Sequence, residues 1–350
     1  MTLYIGVDFH PYQQTVAYSD SCDGEIKYRQ FLHSDKAGIK QFYKGCGKDA
    51  VIGVEATGSL WWFEKLLMAN GQELLIGNPW LIRRVALSRH KNDFRDAETI
   101  LDLLMNERFP KVTTRSEASQ LALQMLNYRH FLVNKRTAIA NQLQAFARRK
   151  GLAKFAIKTK TAKQRLTEAV ENEVERLLVE SRFLFYEEID RQILSVEAEL
   201  EKAAEGDKQV ELLRTHPGIA LLTSMALRHT LGDVKRFRRK EEVVAFVGLD
   251  PLDHSSGERT RIGHISKHGS RLVRHLLGQA AQTTRDRRIR QFYSQVSRRR
   301  DSQRAKVAAA RKLLINCYVM LRDNISYQEF TRRGEVGLYV GTGEVKSATA

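Results

Sequence analysis

The sequence predicts an α/β domain with a mixed sheet at the N terminus, then a long helical or coiled-coil spacer, then a mainly α C-terminal domain. Three observations predict it. Short apolar runs separated by turn residues fill the stretch from Leu3 to Gly77. From Glu117 to Ala204 apolar residues recur at helical spacing. Beyond Val210 helical patterns return, now crowded with arginine. The 350 residues suffice for two domains with a helical spacer.

Leu3-Tyr4-Ile5-Gly6-Val7-Asp8-Phe9 reads as the first strand. Gln14 to Ser19 and Glu25 to Phe31 read as two more, with Asp23-Gly24 as a hairpin turn. Ser34 to Lys44 has the pattern of a helix opening on a serine cap. Ala50 to Glu55 is a buried-strand pattern, and a helix from Leu60 to Ala69 ends at Asn70-Gly71. Glu73 to Gly77 gives a fifth strand, closed by Asn78-Pro79. Helices follow near Trp80–Ser88 and Asp93–Glu107. Three meandering strands, then alternating helix and strand, is the order of an RNase H-like fold.

Glu117 to Lys150 reads as a basic helix. Lys163 to Ala204 reads as strongly helical, with Leu166, Val170, Val174, Leu177, Leu184, Ile193 and Leu200 near heptad spacing. That pattern suits a coiled-coil hairpin and equally an amphipathic bundle. Leu213 to Ile219 resembles the turn of a helix-hairpin-helix, whose backbone amides can face a phosphate; a plain interhelical turn has the same pattern. Further helices are predicted near Ala220–Leu231, Arg239–Val247, Ser270–Arg285 and Arg304–Arg322. The expected domains are 1–112 (catalytic), 113–208 (spacer) and 209–332 (C-terminal), with 333–350 a poorly ordered tail.

The net charge is +17 and the isoelectric point about 9.8. Such an excess calls for a polyanionic partner, nucleic acid first and an anionic membrane surface second. The charge concentrates between Arg259 and Lys312, where arginine dominates and only Glu258 at the edge, Asp286 and Asp301 oppose it. Cys22, Cys46 and Cys317 are too scattered for a zinc site or a disulfide framework. Asp8 interrupts the first apolar run, so no signal peptide is expected, and no stretch is long and apolar enough to span a membrane. A cytoplasmic protein acting at DNA is the expectation.

Two groups of residues carry chemistry. Asp8 and Glu55 follow apolar strands, while Asp93 and Asp96 stand three apart on one face of a helix start. A carboxylate beside an apolar strand needs a partner, and hard oxygen ligands from two strand ends and a helix suit Mg²⁺ (or Mn²⁺). His10 and His90 lie close in sequence to the set; either could assist it, and a surface histidine is the simpler account. The second group is His254-Ser255-Ser256-Gly257-Glu258-Arg259-Thr260-Arg261, followed by Ser266-Lys267-His268-Gly269 and a basic helix carrying Arg271 and Arg274. A serine in a glycine-flanked loop ringed by Arg259, Arg261 and Lys267 can attack a phosphate; the same loop can simply touch a nucleic-acid backbone.

Taken together, these motifs resemble the bridge-RNA-guided insertion-sequence transposases, which join a RuvC-like DEDD domain to a serine transposase domain. The matching strings are Ile5-Gly6-Val7-Asp8, Val54-Glu55-Ala56-Thr57-Gly58, Asn78-Pro79, Lys91-Asn92-Asp93-Phe94-Arg95-Asp96-Ala97, Pro217-Gly218-Ile219, Phe246-Val247-Gly248-Leu249-Asp250-Pro251, Ser256-Gly257 and Ser266-Lys267-His268-Gly269. The resemblance implies that Asp8, Glu55, Asp93 and Asp96 bind metal and that Ser256 is a nucleophile forming a phosphoserine link. It implies donor and target DNA and a structured noncoding guide (bridge) RNA as partners, a homodimer or homotetramer, and no membrane. Arg259, Arg261, Lys267, Arg271 and Arg274 would hold nucleic-acid backbones. Residue 92 is Asn where the family usually has Thr, and Ser255 stands beside Ser256 as a competing nucleophile. The competing readings are a two-metal Holliday-junction-type nuclease of RNase H fold with a DNA-binding C-terminal domain, and a non-catalytic nucleic-acid scaffold.

Overall fold

The computed structural model describes residues 2–21, 24–58, 60–85, 92–253 and 262–335. The chain divides into two compact units, Met1–Thr114 and Arg115–Ala350.

The first unit runs β1 (Leu3–Phe9), β2 (Gln13–Asp20), β3 (Lys27–Leu32), α1 (Lys36–Gly45), β4 (Val51–Glu55), α2 (Trp61–Ala69), β5 (Leu74–Gly77), α3 (Pro79–Val85) and α4 (Asp93–Met105). The sheet order is β3-β2-β1-β4-β5. β2 is antiparallel to β1 and β3, whereas β4 is parallel to β1 and β5. This is the mixed sheet of an RNase H-like domain, as expected. One cap differs. The first helix is capped by Asp35, which accepts from Gly38 N at 2.8 Å, rather than by Ser34. A carboxylate at a helix N-terminus also meets the helix dipole, which a hydroxyl cannot match. Asp23 of the predicted hairpin turn and residues 86–88 of the predicted third helix lie outside the described residues.

The period of two along the strands decides where everything goes. Ile5, Val7, Ile52 and Val54 pack with Ile39 and Tyr43 of α1 and Phe63 and Leu67 of α2. The alternate residues Tyr4 and Val51 pack with Ile100, Leu103 and Leu104 of α4. Gly6 lies on that second face, and a Cβ there would stand 2.3 Å from the Ala97 carbonyl oxygen and 2.5 Å from Leu101 N. The absence of a side chain lets the backbone of α4 lie directly on β1. Asp8 and Glu55, the next residues of the same parity, therefore end their strands on the face that α4 covers.

The second unit contains α5 (Glu117–Arg149), α6 (Lys160–Glu168), α7 (Glu173–Ala204), α8 (Lys208–Arg214), α9 (Leu221–Leu231), α10 (Lys240–Val247), β6 (Pro251–Asp253), β7 (Ile262–Ile265), α11 (Arg271–Thr283), α12 (Arg287–Arg299), α13 (Ser302–Asp323) and α14 (Tyr327–Glu335). α5 and α7 run antiparallel, because Arg129 pairs with Glu197, Arg136 with Asp190 and Arg182 with Gln142. The helical stretch from Lys163 to Ala204 forms as two helices. α6 ends at Glu168, and Asn172 starts α7 by accepting from Glu175 N at 2.9 Å. Asparagine prefers that capping bond to an interior helical position. Of the heptad-spaced residues, Leu166, Ile193 and Leu200 are buried, whereas Val174, Leu177 and Leu184 are 67%, 67% and 65% exposed.

α8, α12, α14 and the β6–β7 hairpin were not anticipated. The helix predicted over Ser270–Arg285 stops at Thr283, because Thr284 and Asp286 turn the chain into α12. Of the expected disordered tail, residues 333–335 finish α14 and the rest lies outside the described residues. The core of this unit joins Val243 and Val247 of α10, Val273 and Leu277 of α11, and Leu313, Cys317 and Tyr318 of α13. Among the described residues no helix is long and apolar enough to cross a membrane.

Candidate active site

In the first unit, ligand atoms of Asp8, His10 and Asp93 lie within 4.8 Å of one another. His10 Nε2 stands 3.0 Å from Asp8 Oδ2 and 3.4 Å from Asp93 Oδ1. Gln13 donates to the other oxygen of Asp93 at 3.3 Å. The Asp8 side chain is only 15% exposed. Burial pushes its pKa up to about 6, the charges of Asp96 and Asp93 push the same way, and His10 opposes them. So Asp8, Asp93 and Asp96 form one electrostatic group. Glu55 ends the neighbouring parallel strand, where its carboxylate pairs with Arg83 at 3.0 Å. Of the four predicted acids, Asp8 and Asp93 cluster with His10, Asp96 is near enough for its charge to be felt at Asp8, and Glu55 is held by an arginine.

The local sequence explains the placement. Asn92 accepts from Phe94 N at 3.1 Å and starts α4, so Asp93 and Asp96 fall in its first turn, where carboxylates meet the helix dipole. Asparagine caps as well as the threonine usual at this position. His10 enters the cluster rather than standing as a plain surface residue, and Gln13 was not foreseen. Only their sequence nearness to Asp8 pointed to them. His90 lies outside the described residues.

A divalent cation fits this donor set. Burial chiefly, with the charges of Asp96 and Asp93 adding to it, holds the Asp8 proton up to about pH 6, and a bound cation would offset both effects. Oxygen donors suit Mg²⁺ or Mn²⁺, and the imidazole of His10 is a further possible donor.

The serine segment is framed in the second unit. β6 and β7 pair antiparallel, with Pro251 opposite Ile265 and Asp253 opposite Ile262. Ser256, Arg259 and Arg261 lie between them, outside the described residues. The base of the hairpin is built from two turns packed backbone to backbone. Gly248, at φ +75°, ends α10, and a Cβ there would meet His268 N at 2.7 Å; one on Gly269 would meet the Phe246 carbonyl at 2.1 Å. Asp250 and the Ser266 hydroxyl are hydrogen-bonded. Arg274, predicted to touch nucleic acid, donates through Nη1 to the carbonyls of Val247 (2.9 Å) and Gly269 (2.7 Å), clamping the turns together. Lys267 and Arg271 are exposed beside it.

Two further features complete this unit. Arg285, Arg287, Arg290 and Arg298 line an open groove of about 810 Å³ along α12. The arginine run signalled it; its helical register did not. The turn after α8 faces inward. Gly218 N donates to His216 Nδ1 at 3.1 Å, and Ile219 N donates to the His216 carbonyl at 3.0 Å. Those amides are therefore taken by the protein itself, and the turn is an interhelical one rather than a phosphate cradle.

Comparison with known proteins bears on both units. Residues 5–149 match a model of the IS110-type DEDD domain, described as Transposase. Residues 210–297 match a second model, described as Transposase IS116/IS110/IS902 family. The chain belongs to the IS110 family of transposases. It is 29% identical over 252 residues to the transposase for insertion sequence element IS1328 of Yersinia enterocolitica, covering 69% of this chain and 73% of that one. It is 25% identical over 291 residues to the putative transposase y4pF/y4sB of Sinorhizobium fredii, covering 80% and 74%. As a transposase, the chain is a DNA-cutting and joining enzyme. Its DEDD domain implies a divalent metal, and Asp8, His10 and Asp93 are a possible site for it. The first matched stretch takes in the acids and runs through α5; the second takes in Ser256, Lys267, Arg271 and Arg274.

Proposed function

We propose that this transposase is an RNA-guided recombinase of its insertion sequence, which cuts and rejoins strands through a phosphoserine at Ser256. The observation that carries the reading is the cluster of Asp8, His10 and Asp93, with Asp96 in the same first turn of α4 as Asp93 and Glu55 on the adjacent strand. Acids so placed suit Mg²⁺ or Mn²⁺, which when bound supplies Lewis-acid charge to phosphate oxygens.

The residues divide the work. Asp8, Glu55, Asp93 and Asp96 would hold the metal, and Arg83 is the ion-pair partner that Glu55 would exchange for it. Ser256 Oγ attacks the scissile phosphorus and loses its proton. The serine–phosphate bond forms as the phosphorus–O3′ bond breaks, and the 3′ oxygen leaves with a proton. The 3′-hydroxyl of the partner strand then attacks the phosphoserine, and Ser256 recovers its proton. Arg259, Arg261, Lys267 and Arg271 hold phosphates, while Arg274 sets the frame of the hairpin. A structured noncoding RNA pairs with donor and target DNA, so sequence is chosen by base pairing and the protein holds backbones. The RNA and the phosphoserine rest on the family resemblance. The exposed apolar residues of α7 support a homodimer or homotetramer.

The test is strand cleavage by the purified protein with its element DNA and flanking noncoding RNA. Ser256→Ala is expected to abolish both cleavage and the covalent protein–DNA adduct, and Asp8→Ala to abolish cleavage. Cleavage that survives Ser256→Ala would favour the two-metal junction nuclease. Cleavage undiminished without RNA would remove the guide from the reading.

A further inference from the structure

Between α12, α13 and α14 lies a cavity of about 290 Å³, near the lower end of small-molecule pockets. It takes no part in the chemistry above. Three aromatic rings, Phe292, Tyr327 and Phe330, border it, and the last two are stacked with centroids 6.3 Å apart. Three amides, Gln291, Gln295 and Asn316, also line it. Asn316 is only 5% exposed, so its side chain meets the cavity rather than bulk water. Lys312 lies over the Phe292 ring, 4.7 Å from its centroid, and Arg288 stands at the border.

The one acid in the lining, Asp286, is held by its neighbours, the Tyr327 hydroxyl among them. Asp286 accepts from Arg288 N at 2.8 Å and Ile289 N at 3.2 Å, and its other oxygen faces His216. What the cavity offers a ligand is therefore flat π surface, amide groups that both donate and accept, and positive charge. That is the chemistry of a nucleobase with an attached phosphate. Gln291 and Gln295 border this cavity and also the arginine groove of α12. A strand whose phosphates follow Arg285, Arg287, Arg290 and Arg298 passes the mouth of the aromatic cavity.

We propose that the cavity between α12, α13 and α14 receives one unpaired base of a single strand whose backbone lies in the arginine groove of α12. The inference rests on the nucleic-acid reading above and adds to it a site for an extruded base. Such a base is unstacked from its neighbours, so the cavity favours single strands, loops and junctions over continuous duplex.

The experiment uses the full chain with single-stranded oligothymidylate and oligouridylate, each carrying one 5-iodouracil for photocrosslinking. Cross-linked peptides are expected to contain Phe292, Tyr327 or Phe330. Phe330→Leu, which keeps apolar volume but removes the ring, is expected to cut that cross-link and weaken binding about tenfold. Its salt dependence should stay unchanged. Arg290→Ala should instead flatten the salt dependence, by about 0.7 in log–log slope for a single strand. A preference for thymidylate or uridylate identifies the strand as DNA or RNA, and either supports the site. Cross-links confined to the arginine face of α12, or undiminished in Phe330→Leu, would overturn the base site and leave the nucleic-acid reading standing. Failure of the unmodified protein to bind either oligonucleotide would bring down both.

Discussion

His216 illustrates what one buried residue can impose. Its ring is enclosed, its Nδ1 accepts from Gly218 N, and its Nε2 faces Asp286 at 3.4 Å. Burial pulls its pKa from 6.5 down to about 4, with Asp286 opposing in part. The folded chain thus gives up this proton at a lower pH than the unfolded chain does. The resulting stability is complete above about pH 6.5 and drains away as pH falls toward 4, roughly 3 kcal/mol in all. Urea unfolding followed across that window should show the loss in the unmodified protein and a flatter profile in His216→Asn, whose Oδ1 can still accept from the amide two residues on. An unchanged profile would remove His216 as the cause. At this scale the sequence was legible where a residue type has few uses: acids after apolar strands marked Asp8 and Glu55. It was illegible where the partner is far away in the chain. Nothing near Arg274 shows that its guanidinium faces two carbonyls, and nothing near Glu55 names Arg83.

Elements were legible where burial is one-sided or complete. β1, β4 and β5 are apolar runs bounded by turn residues, β2 is largely buried, β3 is exposed along most of its length, and all five formed within a few positions of their predicted ends. α12 was missed because its surface is mostly arginine and glutamine, with Ile289 its one fully buried side chain, so its apolar signal is faint. The β6–β7 hairpin was missed because each strand is short and polar residues interrupt it. α7 presents the opposite case. Its apolar spacing was read correctly, but Val174, Leu177 and Leu184 face away from α5. Leu177→Glu combined with Leu184→Glu should therefore leave helicity by circular dichroism intact and reduce the mass measured by light scattering. Unaltered mass would show that association uses another surface.

For the whole molecule, the excess of positive charge is carried by the C-terminal unit while the four candidate metal-binding acids lie in the N-terminal one, so the proposed function assigns binding and metal chemistry to two folded bodies. Binding of nucleic acid should accordingly be steeply salt-dependent in the intact protein, and Asp8→Asn should leave that dependence in place while cleavage is lost. Filter-binding titrations at several salt concentrations would check it, and a binding loss in Asp8→Asn as large as that from removing an α12 arginine would count against the division. The turn at the foot of the hairpin adds a last consequence. Lys267 holds φ +58°, a left-handed conformation that costs an ordinary side chain about 1–2 kcal/mol and a glycine far less. Lys267→Gly should then resist urea better than the unmodified protein. Firmness and charge are opposed at this residue, and the chain has a strained cation just after β7 where a relaxed, uncharged residue would make the sturdier protein.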